Sequence, residues 1–318
     1  VGNTALDSLT TGVNNTAVGR NALTANTSAN DVTAIGHNAL TANTTGEGNI
    51  AVGSYSLDAN TTGSNNVAMG YLALSASTTA SHNTAVGHLG LEDNSTGQYN
   101  SSFGSSALKQ NTTGSSNTAL GYGSLNSNTT ASNNTAVGGL ALNQNTTGTR
   151  NIAIGAEALD AAVGINDNIA IGYQAQTSNT GNGATANTGA SNIAIGSYAL
   201  KSLNSTSSGD SIQNVAIGVE AMETSTSAYR NVAIGFRAFE LNQTQNNTVA
   251  VGWYALRESV SGGSNTALGH YTLTRTTTGA SNTAVGSATL QYNTTGSYNT
   301  GVGHRALDQA TTADSNTA

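Results

Sequence analysis

Short apolar stretches alternate with polar turns along this chain on a fixed period. A glycine closes stretches such as NTAVG, NIAIG and NVAIG. It recurs at Gly2, Gly19, Gly36, Gly53, Gly70, Gly87, Gly104, Gly121, Gly138, Gly155 and Gly172, always 17 residues apart. Steps of 24 and 22 residues lead to Gly196 and Gly218. The 17-residue step resumes at Gly235, Gly252, Gly269, Gly286 and Gly303, giving 18 anchors. A self-similar period of about this size marks a repeat architecture.

The consensus reads N-T-A-V-G-x-x-A-L-x-x-N-T-T-G-x-x. The residue before the glycine is apolar in every repeat. Two before it stands Ala, replaced only by Ser102 and Gly301. Three before it stands a β-branched residue, except at Ser101, and four after it Leu, except at Gln176, Met222 and Phe239. A short β-branched run bounded by Asn and Gly reads as a strand. Neither face of that strand reads as solvated, which predicts cover on both sides, as in parallel sheets. A second short strand is expected over the Ala-Leu pair. The N-T-T-G segment reads as the turn, with its glycine supplying φ > 0. Apolar positions are too few for a helical stripe, and Gly, Asn and Thr are poor helix formers.

The expected fold is all-β, a parallel β-solenoid of 17-residue coils. Residues 1–318 read as a single array of 18 coils, with longer, irregular coils at about 173–217. Insertions at about 177–191 and 202–213 read as loops on one face, either a binding face or tolerated irregularities. One coil cannot stand alone. Its two large apolar side chains contribute roughly 2 kcal/mol each, whereas ordering its residues costs on the order of 25 kcal/mol. Stacking makes stability collective. So thin a coil, with an Ala surface open to close approach by other backbone, predicts several chains around one axis, and a homotrimer is the expectation. The ends, Asn316-Thr317-Ala318 and Val1-Gly2, join to read NTAVG. They mark either an arbitrary boundary or one period of a longer array or end-to-end filament.

Composition removes several function classes. Charged residues are 8% of the chain, the net charge is -7, and proline and cysteine are absent. The basic residues form no cluster, so no nucleic-acid partner is expected. No apolar run approaches the roughly 18 residues of a membrane span. Absent cysteines exclude a disulfide framework and thiolate metal sites. No catalytic constellation or cofactor motif is found, so an enzyme is not expected.

Three columns of side chains remain as candidate sites. Asn stands four before the glycine in 15 of the 17 complete repeats. Stacked along an axis, Asn15, Asn49, Asn66, Asn83, Asn117, Asn134, Asn151, Asn168, Asn192, Asn214, Asn231, Asn265, Asn282 and Asn299 would form an amide ladder. The turns carry N-x-[ST] sequences, including Asn43, Asn60, Asn111, Asn128, Asn145 and Asn293. These read either as turn chemistry or as a glycosylated column. Rings concentrate just after the anchor glycine, most densely at Phe236, Trp253, Tyr254, His270 and Tyr271. They read either as packing between coils or as a strip for a glycan or partner surface.

N-T-A-V-G-x-x-A-L, recurring over essentially the whole chain, resembles the YadA-like head repeat of trimeric autotransporter adhesins. It is also similar to the NTALG-type arrays of phage tail fibres and surface proteins. The resemblance implies a trimeric, left-handed parallel β-roll, a cell-surface or virion location, and attachment to a host glycan or matrix ligand. The adhesin repeat usually runs nearer 14 residues, so the present turn is longer. The expected function is a structural and adhesive extracellular fibre segment. The alternatives are a carbohydrate-binding module that uses the ring strip and inserted loops, and a glycosylated filament building block.

Overall fold

The computed structural model describes residues 2–178, 190–203 and 212–318. The chain divides into two compact units, Val1–Arg150 and Asn151–Ala318. Each is a parallel β-solenoid, and there is no helix among the described residues. The first unit carries β1 (Thr16–Val18), β2 (Thr33–Ile35), β3 (Ile50–Val52), β4 (Val67–Met69), β5 (Thr84–Val86), β6 (Ser101–Phe103), β7 (Thr118–Leu120) and β8 (Thr135–Val137). The second carries β9 (Ile152–Ile154), β10 (Ile169–Ile171), β11 (Ile193–Ile195), β12 (Val215–Ile217), β13 (Val232–Ile234), β14 (Val249–Val251), β15 (Thr266–Leu268), β16 (Thr283–Val285) and β17 (Thr300–Val302).

Equivalent residues pair from coil to coil. Thr16 faces Thr33 and Ala17 faces Ala34 in the first unit; Thr266 faces Thr283 and Ala267 faces Ala284 in the second. The insertions leave this register intact. Ile169 pairs with Ile193, and Ile193 with Val215. Residues 179–189 and 204–211, which hold most of the inserted sequence, lie outside the described residues.

The interior is built from small residues and one larger side chain per coil, Leu except at Gln176, Met222 and Phe239. Around Gly70, the side chains of Ala68, Ala73 and Leu74 are fully buried. Only one strand face is covered, which corrects the expectation of cover on both. The side chains one and three before the glycine point outward and stay half-exposed. Met69 retains 43% of its surface and Leu120 49% in the first unit; Leu268 retains 47% in the second. The physical reason is coil thickness: the Ala, the Asn and the leucine of the opposite wall already fill the interior.

The expected second strand does not form. Residues two and four after the glycine instead take positive φ, as at Tyr55 (58°), Leu57 (50°), Leu72 (56°) and Leu74 (55°). Alternating backbone hand turns successive N–H groups up and down the axis. Tyr55 N donates to His37 O of the preceding coil at 2.9 Å, and Leu57 N to Ala73 O of the following coil at 3.0 Å. The wall is thus hydrogen-bonded on both sides without extended backbone.

The glycines divide into two kinds. From Gly19 to Gly303 the anchors adopt φ of 125–146°, a region essentially closed to other residues. A Cβ there would also strike the anchor carbonyl of the next coil, as Gly121 would strike that of Gly138. The turn glycines, such as Gly46 and Gly114, do not adopt positive φ. They sit close to the next coil, where a Cβ on Gly46 would meet the Gly63 carbonyl, yet Ala80 and Ala131 stand buried at the equivalent position, so small size and not glycine is what the site selects. The positive φ of the turn falls five before the anchor, at Asn65 (58°) and Ser116 (59°).

Candidate functional site

The Asn column lies inside the coils, fully buried at Asn49, Asn66, Asn83 and Asn117 in the first unit. The Asn66 and Asn49 amides show the pattern of bonds. The Asn66 backbone N donates to Asn49 Oδ1 at 2.9 Å, and Asn66 Nδ2 donates to Asn49 Oδ1 at 3.2 Å and to Ala80 O at 2.8 Å. Asn100 belongs to the same column, its N donating to Asn83 Oδ1 at 2.9 Å. In the second unit Asn282 N donates to Asn265 Oδ1 at 2.9 Å, and Asn282 Nδ2 to Gly296 O at 2.9 Å. The column also runs past both insertions. Asn192 N donates to Asn168 Oδ1 at 3.1 Å, and Asn214 N to Asn192 Oδ1 at 2.9 Å. The side chains therefore bond the backbone of neighbouring coils more than they bond one another.

The Asn of the turn sequences forms a second inward column. Asn43, Asn60, Asn111, Asn128, Asn145 and Asn293 are all fully buried. Asn128 Nδ2 donates to Asn111 Oδ1 at 2.7 Å and to Ala131 O at 3.0 Å. Asn60 Nδ2 does the same with Asn43 Oδ1 at 2.8 Å and Gly63 O at 2.9 Å. A glycan on Nδ2 would displace these bonds from a site without space for a sugar. The bonds to Gly63 O and Ala131 O, each three residues on, match the turn-chemistry reading of these residues. The adjoining Thr bonds along the axis as well, Thr44 Oγ1 donating to Thr61 O at 3.0 Å.

The five rings of the expected strip do meet, all in the second unit. Trp253 stacks on Tyr254 (centroids 4.9 Å, 22°) and on His270 (4.9 Å, 21°). Phe236 lies 5.6 Å from Tyr254, and His270 lies 4.2 Å from Tyr271. The Trp253–His270 spacing matches the roughly 4.8 Å between stacked strands, so these two rings stack along the axis. Trp253 is the one ring stacked on two neighbours of the cluster, and it keeps 45% of its surface exposed. Arg237 lies 5.2 Å from the Phe236 ring centre, and Arg257 lies 4.9 Å from that of Tyr254.

Beside the rings, Glu220, Glu223 and Glu240 bring carboxylate oxygens within 4.8 Å of one another. Two guanidiniums answer that charge, with Arg237 Nε 2.5 Å from Glu220 and Arg257 Nε 2.7 Å from Glu240. Burial, and then the neighbouring Glu220, push the Glu223 carboxyl above its ordinary range. The hydrogen bond to Glu220 raises the Arg237 guanidinium. This is an ionic ladder between coils rather than a set of convergent ligands.

The outward strand face is the largest feature that the coil leaves unsatisfied. In the first unit it presents Val18, Ile35, Met69, Phe103 and Leu120 as exposed side chains; in the second, Ile152, Ile154, Ile234, Val249, Leu268 and Val302. No strand of either unit places a charged residue on this face. Sequence reasoning found the apolar column but assigned it to a covered face. The signal that could have separated the faces is size, since only Ala, Ser102 and Gly301 stand at the inward position while the outward positions take larger residues. Comparison with protein-family models, curated proteins and solved structures returned no match.

Proposed function

We propose that this chain is a structural segment of an extracellular fibre, self-associated through its outward strand face, with adhesion and not catalysis as its role. The observation that carries the reading is the uncharged stripe of half-exposed Val, Ile, Leu, Met and Phe on that face. Apolar surface repeated from strand to strand within a unit marks an interaction surface. Covering one such half-exposed side chain stabilises by roughly 1 kcal/mol. Association must overcome about 4–15 kcal/mol of lost freedom, so a long stripe can drive it where a single contact cannot. Three chains around one axis is the proposed state, in keeping with the resemblance to YadA-like heads. That resemblance also supports a cell-surface or virion location and a host glycan or matrix ligand. No helix among the described residues is long and apolar enough to cross a membrane.

Light scattering on the purified chain tests the reading. The expected mass is three times 31.7 kDa. A monomeric mass across the micromolar range overturns it.

A carbohydrate-binding role is the second reading, favoured by the exposed part of Trp253 within the five-ring cluster. Against it, Trp253 stacks on both Tyr254 and His270, and sugars are held by ring faces. Glycan screening of the chain and of Trp253→Ala separates the two. Unchanged binding by the variant removes the ring cluster from the account.

A further inference from the structure

The outward face is not uniform along the chain. In β9 to β14 both outward positions are aliphatic: Ile152 and Ile154, Ile169 and Ile171, Ile193 and Ile195, Val215 and Ile217, Val232 and Ile234, Val249 and Val251. In β15 to β17 the first outward position is Thr266, Thr283 or Thr300. The first unit has its own pattern, with Thr16 and Thr33, then Ile50 and Val67, then Thr84, Ser101, Thr118 and Thr135. Each strand is thus a rung marked as aliphatic or hydroxyl.

Resting on the self-association reading, we infer that this sequence of rungs fixes the axial register between copies of the chain, with the β9–β14 block as the main adhesive zone and a second copy of the same block as its partner. Three observations carry the inference. The face holds no charge, and when copies stand around one axis without stagger each rung lies level with its own copy. A charge there would oppose itself, whereas a surface built for a foreign partner has no reason to exclude charge. Second, the twelve aliphatic side chains of the block are all half-exposed or exposed in the single chain. They form the longest run of rungs without a hydroxyl. Third, the block ends at a hydroxyl boundary between Val249 and Thr266. At zero stagger Thr meets Thr, and facing hydroxyls can bond each other. A shift along the axis sets Thr hydroxyls against aliphatic side chains and leaves them buried without partners.

The chain contains no cysteine, so single cysteines report register directly. Ile171→Cys, Ile217→Cys and Val251→Cys are each oxidised alone and in mixed pairs. Disulfides form only where Cα atoms come within roughly 7 Å. The expected result is a cross-link within each variant, with mixed cross-links at least tenfold rarer. Mixed cross-links as frequent as self cross-links overturn the fixed register, while an oligomeric mass would still leave the self-association reading standing. A triple variant, Ile193→Thr, Val215→Thr and Val232→Thr, tests the adhesive zone. Thr occupies the same position in other coils, so the strand tolerates it. Self-association at least tenfold weaker is expected. Mass and dissociation constant both unchanged, with the coil still folded by circular dichroism, overturn the block's role.

Discussion

At the residue scale, each repeat position answers one physical demand, and the demands differ in how clearly a sequence displays them. The anchor glycine is legible because nothing else tolerates its φ beside a neighbouring carbonyl. The leucine four after it is misleading. Its conservation of type within the chain reads as a core position, which is true, but nothing in Leu announces the positive φ of 49–56° it adopts in complete coils. Left-handed backbone at a bulky residue is uncommon. Here it is held by burial and by axial bonds such as Leu108 N to Ser124 O at 2.9 Å. This makes shape matter more than volume. Leu108→Ile keeps the volume but places a β-branched residue at φ 52°, and a loss of about 2 kcal/mol is expected in denaturant unfolding. Leu108→Met should stay within about 1 kcal/mol, since Met222 already occupies the equivalent site at φ 53°. Equal losses for the two variants would refute the backbone argument. The Asn column gives a second case. Asn117 accepts from Asn134 N at 3.0 Å and donates through Nδ2 to Ala131 O at 2.9 Å. Asn117→Ala removes the acceptor of the Asn134 N–H, whereas the Ala131 carbonyl keeps its bond from Asn128 Nδ2 at 3.0 Å, and at about 1–3 kcal/mol for a buried group a loss of about 2 kcal/mol is expected. Asn117→Asp sets a carboxylate oxygen against the Ala131 carbonyl. It should destabilise more at pH 7 than at pH 4, where protonation restores a donor, and thermal unfolding at the two pH values checks the sign.

At the element scale the coil was legible as a strand and a turn, and much less so as a wall. The β-branched triplet and its parallel register follow from the sequence period. The segment after the glycine does not, because alternating positive and negative φ carries no composition signal. Tyr55, Leu72, Ser106, Glu157 and Arg237 all occupy the same left-handed position. Stacking is what selects this backbone, through bonds that no single repeat possesses. The turn Asn does the local chemistry that its sequence suggests, as Asn60 Nδ2 bonds Gly63 O within its own turn, and it also forms a buried column along the axis that no single repeat displays. Its interruption gives a direct test. Ser77 stands where Asn would continue the column, and both Ser77 Oγ and Asn60 Oδ1 are buried without a partner. Asn94 Nδ2 meanwhile donates to Gly97 O at 3.0 Å. Ser77→Asn supplies a donor to Asn60 Oδ1 and an acceptor to Asn94. A gain of about 1–2 kcal/mol is expected, within the range typical of consensus repairs. A denaturation midpoint that fails to rise would show that the space at residue 77 does not admit the amide.

At the scale of the whole molecule, the axial columns satisfy each coil internally and leave the strand face as the part still in need of a partner. Hydrogen bonds along the axis account for the Asn, Thr and Gly positions. They do not account for a Val, Ile, Leu, Met or Phe at the outward site before every anchor, where Thr or Ser would keep strand propensity at less exposed apolar area. Self-association supplies that account, and it makes two further demands that can be measured. An interface without charge should be indifferent to ionic strength, since there is no ion pair to screen. The oligomeric mass is therefore expected to hold between low salt and 1 M sodium chloride, and to tighten in sulfate, which strengthens apolar burial. A charge introduced on the face should instead meet its own copy across the axis. Leu120→Asp, at a site 49% exposed in the single chain, is expected to leave one chain folded while weakening its assembly at least tenfold. Lowering the pH below the carboxylate range should restore the assembly as the Asp is neutralised. Sedimentation of the variant at pH 7 and pH 3.5 reads both effects. Assembly equal to that of the unsubstituted chain at pH 7 would place the contact surface elsewhere on the coil.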